Sequence, residues 1–368
     1  MPAIDTKPTA APMATVYLQF EDQVAQLDRQ IEDLRKKDQS LQGLNAAEIR
    51  RLQKEQTKLL QELYSNLSAW QTVQVSRHPQ RPLLNDYLSL LFKDVRHLHG
   101  DRNFGDDKAI VTALGQIGRE KVMIIGHNKG KDIKEKIACN FGCANPEGYR
   151  KALAKMKLAE KFGLPIITLI DTPGAYPGIG AEERGQSQAI AVNLMEMSRL
   201  RVPIICVVIG EGGSGGAIGI GVGDRLAMLQ YSYYSVISPE GCAAILWHDG
   251  SQAPRAAEAL KLTAKDLQNL KLVDTVIAEP LGGAHRNVHD TIYSVEQFLL
   301  KSLAELKRIK IDALMEKRYQ KIRSFGSGCV EISKLKPKTT ELPIPKKLSA
   351  KALIEQAKET PVETPVES

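Results

Sequence analysis

The feature that most constrains the fold is a unit of strand, glycine-rich loop and helix that occurs twice in the middle of the chain. The apolar run from Leu164 to Ile170 leads into DTPGAYPG at 171–178, and the run from Val202 to Ile209 leads into GEGGSGGA at 210–217. Neither run alternates polar and apolar residues, which indicates strands that are buried on both faces. Since helical segments follow both loops, the pattern predicts βα crossover units with parallel strands, and therefore an α/β fold.

The two glycine-rich loops are expected to line one cleft, because ligands of parallel sheets bind beyond the carboxyl ends of neighbouring strands. Four of the five residues at 212–216 are glycines. Glycine lets the backbone approach a ligand closely, and the N–H groups at the start of a helix attract negative charge. The loop is thus a candidate site for an anion or a developing oxyanion. The structural alternative is close packing of a turn against a neighbouring helix.

Three chemical interpretations of the 210–217 loop remain open from spacing alone. The loop matches G-x-G-x-x-G, the dinucleotide fingerprint, but no acidic residue ends a strand about twenty residues later. It also matches G-x-S-x-G around Ser214, the nucleophile elbow of acyl hydrolases. The third interpretation is an oxyanion hole formed by the N–H groups of Gly215 and Gly216, which requires no nucleophilic side chain. The bases and acids that a hydrolase could recruit are His248, His285, His289, Asp249 and Asp290.

Other candidate residues lie on neighbouring loops. The lysine-rich stretch from Lys129 to Lys136 is either a solvated loop or a cationic rim for the phosphates of a nucleotide-like ligand. Glu182 and Glu183 are either catalytic acids or the exposed acidic first turn of a helix. Cys139 and Cys143 form the only close cysteine pair and have His127 as their one obvious companion, which is too few ligands for a zinc site. No metal is therefore expected in this chain.

The flanks of this region carry no catalytic motif. Apolar residues at helical spacing predict a helical hairpin over residues 16–77, either packed on its own domain or used as a subunit interface. The HPQRP segment at 78–82 ends it, because proline interrupts helices. The main domain is predicted over 78–325, with strands near 109–114, 121–127 and 226–237 and helices over 146–162, 182–200 and from 239 to about 323. Residues 1–15 and 334–368 are predicted to be disordered.

Composition limits the functional classes further. The chain has 368 residues, 43% of them apolar and 25% charged, and no apolar run reaches the ~18 residues of a membrane span. The first fifteen residues lack the features of a signal or transit peptide, so a cytoplasmic protein is expected. The net charge of +7 suits either nucleic acid or a polyanionic small molecule such as a nucleotide or CoA. With seven Phe and two Trp, no stacking motif supports nucleic-acid binding.

Taken together, several longer motifs resemble one family, the alpha subunit of the acetyl-CoA carboxylase carboxyltransferase of the type with separate subunits. The motifs are HPQRP at 78–82, IIGHNKG at 124–130, NFG and NPEGYRKAL within 140–153, DTPGAYPGIGAEERGQ at 171–186, GEGGSGGA at 210–217, YSVISPEGCAAILW at 234–247 and EPLGGAHRN at 279–287. The resemblance spans about residues 16–323.

The resemblance implies a crotonase-like spiral of ββα units and a carboxyl transfer from carboxybiotin, held on a separate carrier protein, to acetyl-CoA, giving malonyl-CoA for fatty-acid synthesis. In the family the glycine pair of the alpha subunit faces biotin, which here corresponds to Gly215 and Gly216 as a backbone oxyanion hole. We expect Gly212, Gly213, Gly174, Ala175, Tyr176 and Lys129 to contribute to substrate binding. A homologous loop of the beta subunit holds the thioester enolate.

The resemblance also implies partners. The family places a four-cysteine zinc ribbon in the beta subunit, and this chain has neither that ribbon nor a Met-Lys-Met biotinylation signature. It is therefore expected to act only with the beta subunit in an alpha2beta2 assembly, served by the biotin carboxyl carrier protein and by biotin carboxylase, which consumes the ATP. The resemblance therefore implies an association with ATP binding through the complete enzyme, but this chain has no phosphate loop that would make it an ATPase itself. A serine hydrolase using Ser214 and a non-catalytic scaffold remain the alternatives, and Gly216→Val is expected to abolish turnover without unfolding the chain.

Overall fold

The structure, a computed structural model, describes residues 15–38 and 45–326. The predicted disordered segments, 1–15 and 334–368, lie outside the described residues except for Thr15. The amino-terminal region forms α1 (Asp22–Asp38), α2 (Ala46–Ser65) and α3 (Ala69–Ser76). α1 and α2 pack against each other. α3 follows as a separate short helix that the sequence pattern merged with the second one, and Ser68 caps it by accepting a hydrogen bond from the Gln71 N–H at 3.1 Å.

A single eight-stranded sheet organises the main domain, with the order β1-β2-β3-β4-β5-β6-β8 and β7 paired to β5. The strands are β1 (Lys93–Leu98), β2 (Ile110–Ile117), β3 (Glu120–His127), β4 (Ile166–Thr172), β5 (Ile204–Gly213), β6 (Arg225–Leu229), β7 (Tyr233–Ser235) and β8 (Thr275–Ile277). The first three strands pair antiparallel, whereas every pairing from β3 onward is parallel. The predicted parallel pairing of the two strands that precede the glycine loops is confirmed.

Helices cover both faces of the sheet. They are α4 (Leu84–Leu91), α5 (Ile133–Ala138), α6 (Pro146–Lys161), α7 (Ile179–Glu183), α8 (Gln186–Arg199), α9 (Ser214–Ile218), α10 (Pro239–Trp247), α11 (Ala253–Leu260), α12 (Ala264–Asn269), α13 (Val288–Leu306) and α14 (Ile311–Ser324). One core cluster packs α6 and α8 on one face, and a second packs α4 and α13 on the other. Every residue of β4 and β5 is buried, which explains why their sequences do not alternate.

Two boundaries differ from the sequence-based expectation in ways that bear on the site. The helix predicted over 182–200 is divided into α7 and α8 at Gly185, whose φ of 79° ends the first helical segment. β5 does not end at Ile209 but continues through Gly213, so half of the glycine loop is strand. Within the described residues no helix has the length and apolar character needed to cross a membrane.

Candidate functional site

The two glycine-rich loops lie beyond the carboxyl ends of β4 and β5, as the sequence predicts, and are in direct contact. A Cβ atom added to Gly213 would lie 2.0 Å from the carbonyl oxygen of Pro173, and one added to Gly216 would lie 2.5 Å from the carbonyl carbon of Gly174. Real Cβ atoms do not approach backbone so closely. The glycines at 213 and 216 therefore allow one loop to lie on the other.

Most glycines in the 210–217 loop are thus required by packing, which is the structural alternative considered for them. Gly210 leaves room for the Asp171 carboxylate, since a Cβ would lie 2.5 Å from its Oδ1, and Gly212 leaves room for the ring of Tyr234. Gly215 differs, because it is partly exposed and a Cβ there would meet only the Cδ1 atom of Ile190, at 3.3 Å. Of the predicted oxyanion pair, Gly215 is accessible and Gly216 is buried.

The contact at Gly216 corrects one expectation. Even the first carbon of a valine side chain would displace the backbone at Gly174 and Ala175. Gly216→Val would therefore disturb the fold of both loops, and it cannot serve as a substitution that only blocks the cleft.

Ser214 begins α9 with a φ of 49°, a left-handed conformation that is unusual for a residue other than glycine. Such a turn resembles a nucleophile elbow, but among the described residues no histidine forms a hydrogen bond with Ser214. His285 stacks on His78 with ring centroids 3.7 Å apart, and the Asp249 carboxylate accepts hydrogen bonds from the backbone and hydroxyl of Ser251. The geometry gives no support to a Ser–His–Asp triad.

The first loop, at 171–178, is held by its own polar contacts. The Thr172 hydroxyl donates to the carbonyl of Gly142 at 2.7 Å and accepts from the Gly174 N–H at 3.1 Å. The Gln186 amide donates to the carbonyls of Ala144 and Tyr176 at 2.8 and 2.9 Å. These contacts leave Gly174 and Ala175 partly exposed and Tyr176 38% exposed.

An apolar cavity of about 320 Å³ opens beside Ser214 and Gly215. Ile218, Tyr234 and Leu272 line it, and the same three residues also line a second apolar cavity of about 530 Å³ that extends toward Ile322 on α14. Gly215 therefore lies at the edge of an apolar surface large enough for a small ring system.

Lys129 is not the free cation on a solvated loop that the lysine-rich stretch suggests. Its Nζ lies 2.6 Å from Asp171 Oδ1 and 2.6 Å from Glu211 Oε2, and its side chain is 15% exposed. Burial lowers the pKa of Lys129, but the two carboxylates outweigh burial and raise it. A phosphate would have to compete with two carboxylates for this ammonium group. Lys131 and Lys134 are exposed, and Lys136 is half-buried.

Glu211 is the centre of a wider network that sequence analysis missed. Its Oε1 accepts hydrogen bonds from Arg77 Nε at 2.6 Å and from the Tyr233 hydroxyl at 2.9 Å. Burial raises the pKa of Glu211, but Lys129 and Arg77 outweigh it and bring it to about 2. The sequence did contain a signal for this network. Three charged residues lie at or just after the carboxyl ends of buried strands, namely Lys129, Asp171 and Glu211.

The candidate metal ligands among the described residues do not form a metal centre. The only group of His, Cys, Asp or Glu found in the described ranges with ligand atoms within 4.8 Å of one another is Glu21, His78 and His285. The rings of His78 and His285 lie parallel within 19°, so their nitrogen lone pairs do not converge on one ion. The Cys139 sulfur accepts a hydrogen bond from Asn128. Glu182 and Glu183 are exposed on α7.

Comparison with solved structures defines the class of the fold. The chain is similar to a transcarboxylase 12S chain, with a TM-score of 0.52 and 17% identity, over 62% of this chain and 42% of that one. It is also similar to a chain of a Pseudomonas malonate decarboxylase hetero-tetramer in complex with coenzyme A, with a TM-score of 0.51 and 17% identity, over 63% of this chain and 92% of that one. The fold is therefore the crotonase-like fold of the carboxyltransferases.

Sequence comparison defines the family. Residues 17–326 match the family model described as acetyl co-enzyme A carboxylase carboxyltransferase-like. Acetyl-coenzyme A carboxylase carboxyl transferase subunit alpha of Rhodopirellula baltica is 54% identical over 85% of this chain and 98% of its own length. The subunit of the same name from Histophilus somni is 56% identical over 85% and 99%. The chain belongs to this family of carboxyltransferase alpha subunits, which confirms the resemblance in the sequence motifs.

Proposed function

We propose that this chain is the alpha subunit of an acetyl-CoA carboxylase carboxyltransferase and that, with a beta subunit, it converts acetyl-CoA to malonyl-CoA for fatty-acid synthesis. In the reaction the bond between N1 of carboxybiotin and its carboxyl carbon breaks, and a bond forms between that carbon and the methyl carbon of acetyl-CoA. The methyl proton passes to N1 of biotin. The biotin is covalently held by a separate carrier protein and reaches this chain as a substrate.

The observation that carries the proposal is the position of Gly215, an accessible glycine in the first turn of α9 at the edge of an apolar cavity. The first N–H groups of a helix have no acceptor within the helix. We propose that the Gly215 N–H donates a hydrogen bond to the ureido oxygen of biotin, on which negative charge develops. The N–H of the adjacent Gly216 is proposed as the second donor. One such donor contributes about 2.7–4 kcal/mol to catalysis.

The other site residues shape this position. Gly212 and Gly213 keep the strand close to Tyr234 and Pro173, so we assign them to the support of the loop. Gly174, Ala175 and Tyr176 are accessible on the opposite loop and are proposed to contact the substrate. Lys129 is not proposed to bind the substrate, because its charge is already paired with Asp171 and Glu211.

A beta subunit is proposed to complete the site, and exposed apolar side chains around the loops support this. Ile133, Ile137, Phe141 and Ile179 are all more than half exposed and follow the carboxyl ends of β3 and β4. Exposed apolar side chains that lie together on a surface mark protein interfaces, and we propose that these four form such a patch. The assembly is proposed to be alpha2beta2, with the zinc ribbon in the beta subunit. The carrier protein and the ATP-consuming biotin carboxylase would work with it in the cytoplasm.

The direct test is malonyl-CoA decarboxylation to acetyl-CoA with a free biotin derivative as acceptor. It is run on this chain alone, on the beta subunit alone and on the co-expressed pair. We expect activity only in the pair. A well-formed complex that lacks activity would contradict the proposal.

The role of Gly215 is tested by replacing its backbone N–H with an ester oxygen, using glycolic acid at position 215. We expect kcat to fall by about 10²–10³-fold, which is the effect of losing one oxyanion donor. The same replacement at Gly250, which has open space around it, is the matched control and is expected to have no effect. Ser214→Ala is expected to retain most of the rate, whereas a serine hydrolase would lose all of it.

A further inference from the structure

The β4–β5 ladder is interrupted at the base of the two glycine loops. Ile170 pairs with Val208 and Thr172 with Gly212, so Asp171 alone faces Ile209, Gly210 and Glu211. At this bulge the Glu211 N–H donates at 2.9 Å to Oδ1 of the Asp171 side chain. A carboxylate therefore takes the place that a strand carbonyl occupies elsewhere in the ladder.

The Asp171 carboxylate lies close to a second carboxylate, that of Glu211. Asp171 and Glu211 are 5% and 8% exposed at the side chain, and both accept from the same ammonium group, with Lys129 Nζ 2.6 Å from each. Two buried carboxylates at such a distance from one cation repel each other if the cation is removed. Arg77 also pairs with Glu211, at 2.6 Å, but within the described residues Lys129 is the cation that pairs with both carboxylates. The contact between the two carboxylates thus depends on the charge of Lys129.

The residues packed around Asp171, Glu211 and Lys129 leave these three side chains little room to move. Gly210 has no side chain to displace Asp171, and a Cβ on Gly142 would lie 2.9 Å from Cγ of Lys129. Gly142 follows Asn140 and Phe141, and all three residues have positive φ, with Phe141 half-exposed. A strained turn thus covers Lys129, and strain of this kind persists where the neighbouring structure holds it in place.

We propose that Lys129 is a positioning residue, which bridges the carboxylates of Asp171 and Glu211 and thereby holds the two glycine loops in the arrangement that places the Gly215 N–H for carboxyl transfer. This inference rests on the proposed function and adds to it a group that does not touch the substrate. Buried ion pairs often give little net stability but can fix one arrangement of a structure. A cation that fixes the register of two substrate-facing loops is such a case.

The other ionisable groups around the three residues are Arg77, Arg81, Tyr87, His127, Cys143 and Tyr233, with Glu240 behind Arg77. Burial lowers the pKa of His127 to about 3 and raises the pKa of the Cys143 thiol, so both stay neutral between pH 5.5 and 8.5, roughly the assay range. Burial also raises the pKa of Tyr87 and Tyr233, and the arginines remain charged. In a variant without the lysine, Glu211 loses one of the two cations that hold its pKa down, and it is the group left to titrate.

The test uses the alpha–beta complex and compares Lys129→Gln with Lys129→Gln/Glu211→Gln, in which one negative charge is removed with the positive one. For Lys129→Gln we expect kcat to fall about a hundredfold at pH 8 with KM within about twofold, and to recover as the pH is lowered and one carboxylate takes up a proton. The double variant is expected to regain kcat to within about tenfold of wild type and to lose the pH dependence. Lys121→Gln, at the opposite end of β3, is the matched control.

The outcomes separate the two proposals. A wild-type complex without activity would contradict the proposed function. An active wild type together with an unaffected Lys129→Gln variant, or with a double variant no better than the single one, would contradict the positioning role alone. If Lys129→Gln does not fold, the double variant provides the test of the positioning role. A folded double variant with a hundredfold loss of kcat also contradicts that role.

Discussion

Gly213 and Gly250 both lack a positive φ, yet a methyl group would meet different surroundings at the two positions. At Gly213 it would overlap the carbonyl of Pro173, whereas at Gly250 nothing lies within 4 Å. Gly213→Ala is therefore expected to lower the free energy of unfolding by about 1–3 kcal/mol, the usual cost of overpacking. Gly250→Ala should leave it unchanged. Thermal unfolding followed by circular dichroism measures both, and equal melting temperatures would contradict the packing role of Gly213.

His127 illustrates a residue whose importance is clear only in three dimensions. It is 1% exposed, and its ring lies against the backbone of Gly216, although neither ring nitrogen forms a hydrogen bond of good geometry within the described structure. Burial, with a further contribution from Lys129, lowers its pKa to about 3. The sequence suggested only that it was the one obvious additional ligand candidate beside Cys139 and Cys143, too few for a zinc site.

Because the pKa of His127 is lowered in the folded chain, the free energy of unfolding depends on pH. Below pH 6.5, roughly the ordinary value for histidine, the unfolded chain binds a proton at His127 that the folded chain rejects, so stability falls as the pH falls. Between pH 7 and pH 5 this residue alone is expected to remove about 2 kcal/mol. His127→Leu should reduce the loss by that amount in urea unfolding at the two pH values, and an unchanged loss would contradict a neutral buried His127.

A fully buried arginine is the central polar anchor of α14, which also buries Leu314 in the core. Arg318 donates to both carboxylate oxygens of Asp224 at 2.8 and 2.6 Å and to three backbone carbonyls, those of Met197, Leu200 and Val202. Helical periodicity predicted helices up to about residue 323, but it could not predict this anchor. The contact joins residues about a hundred positions apart, and periodicity carries no information about such pairs.

Arg318→Met is expected to destabilise the chain by about 3–5 kcal/mol, because it leaves Asp224 buried without its cation. Arg323→Met, on the exposed part of the same helix, is the control and should have little effect. Thermal unfolding distinguishes them. Similar melting temperatures for the two variants would show that Arg318 does not anchor the helix.

At the scale of the whole molecule, exposed apolar residues lie near both ends of the parallel strands. Ile179 is 77% exposed near the glycine loops, whereas Phe162 is 65% exposed at the end of α6, where β4 begins. Ile179→Asp is expected to prevent co-elution with the beta subunit in size-exclusion chromatography, and Phe162→Asp is expected to leave it intact. Loss of the complex in both variants, or in neither, would contradict an interface at the loop edge.

The sequence predicted the class of fold well, because buried strands followed by glycine loops have few alternative arrangements. It also predicted that the two loops lie beyond neighbouring strands and line one cleft, but not that they contact each other. It did not predict β1, α4, α5 or β8, which are short elements. It also could not distinguish glycines needed by a neighbouring backbone from those near the cleft. That distinction depends on contacts between Gly213 or Gly216 and residues 173–175, about forty positions away.

The mutual contact of the two loops has a consequence for protein engineering. Since Gly213 and Gly216 rest on the backbone of residues 173–175, the loops at 171–178 and 210–217 form one transplantable unit. A chimera that borrows the second loop from a distant relative will keep its shape only when the first loop, and the lysine that joins them, come from the same donor.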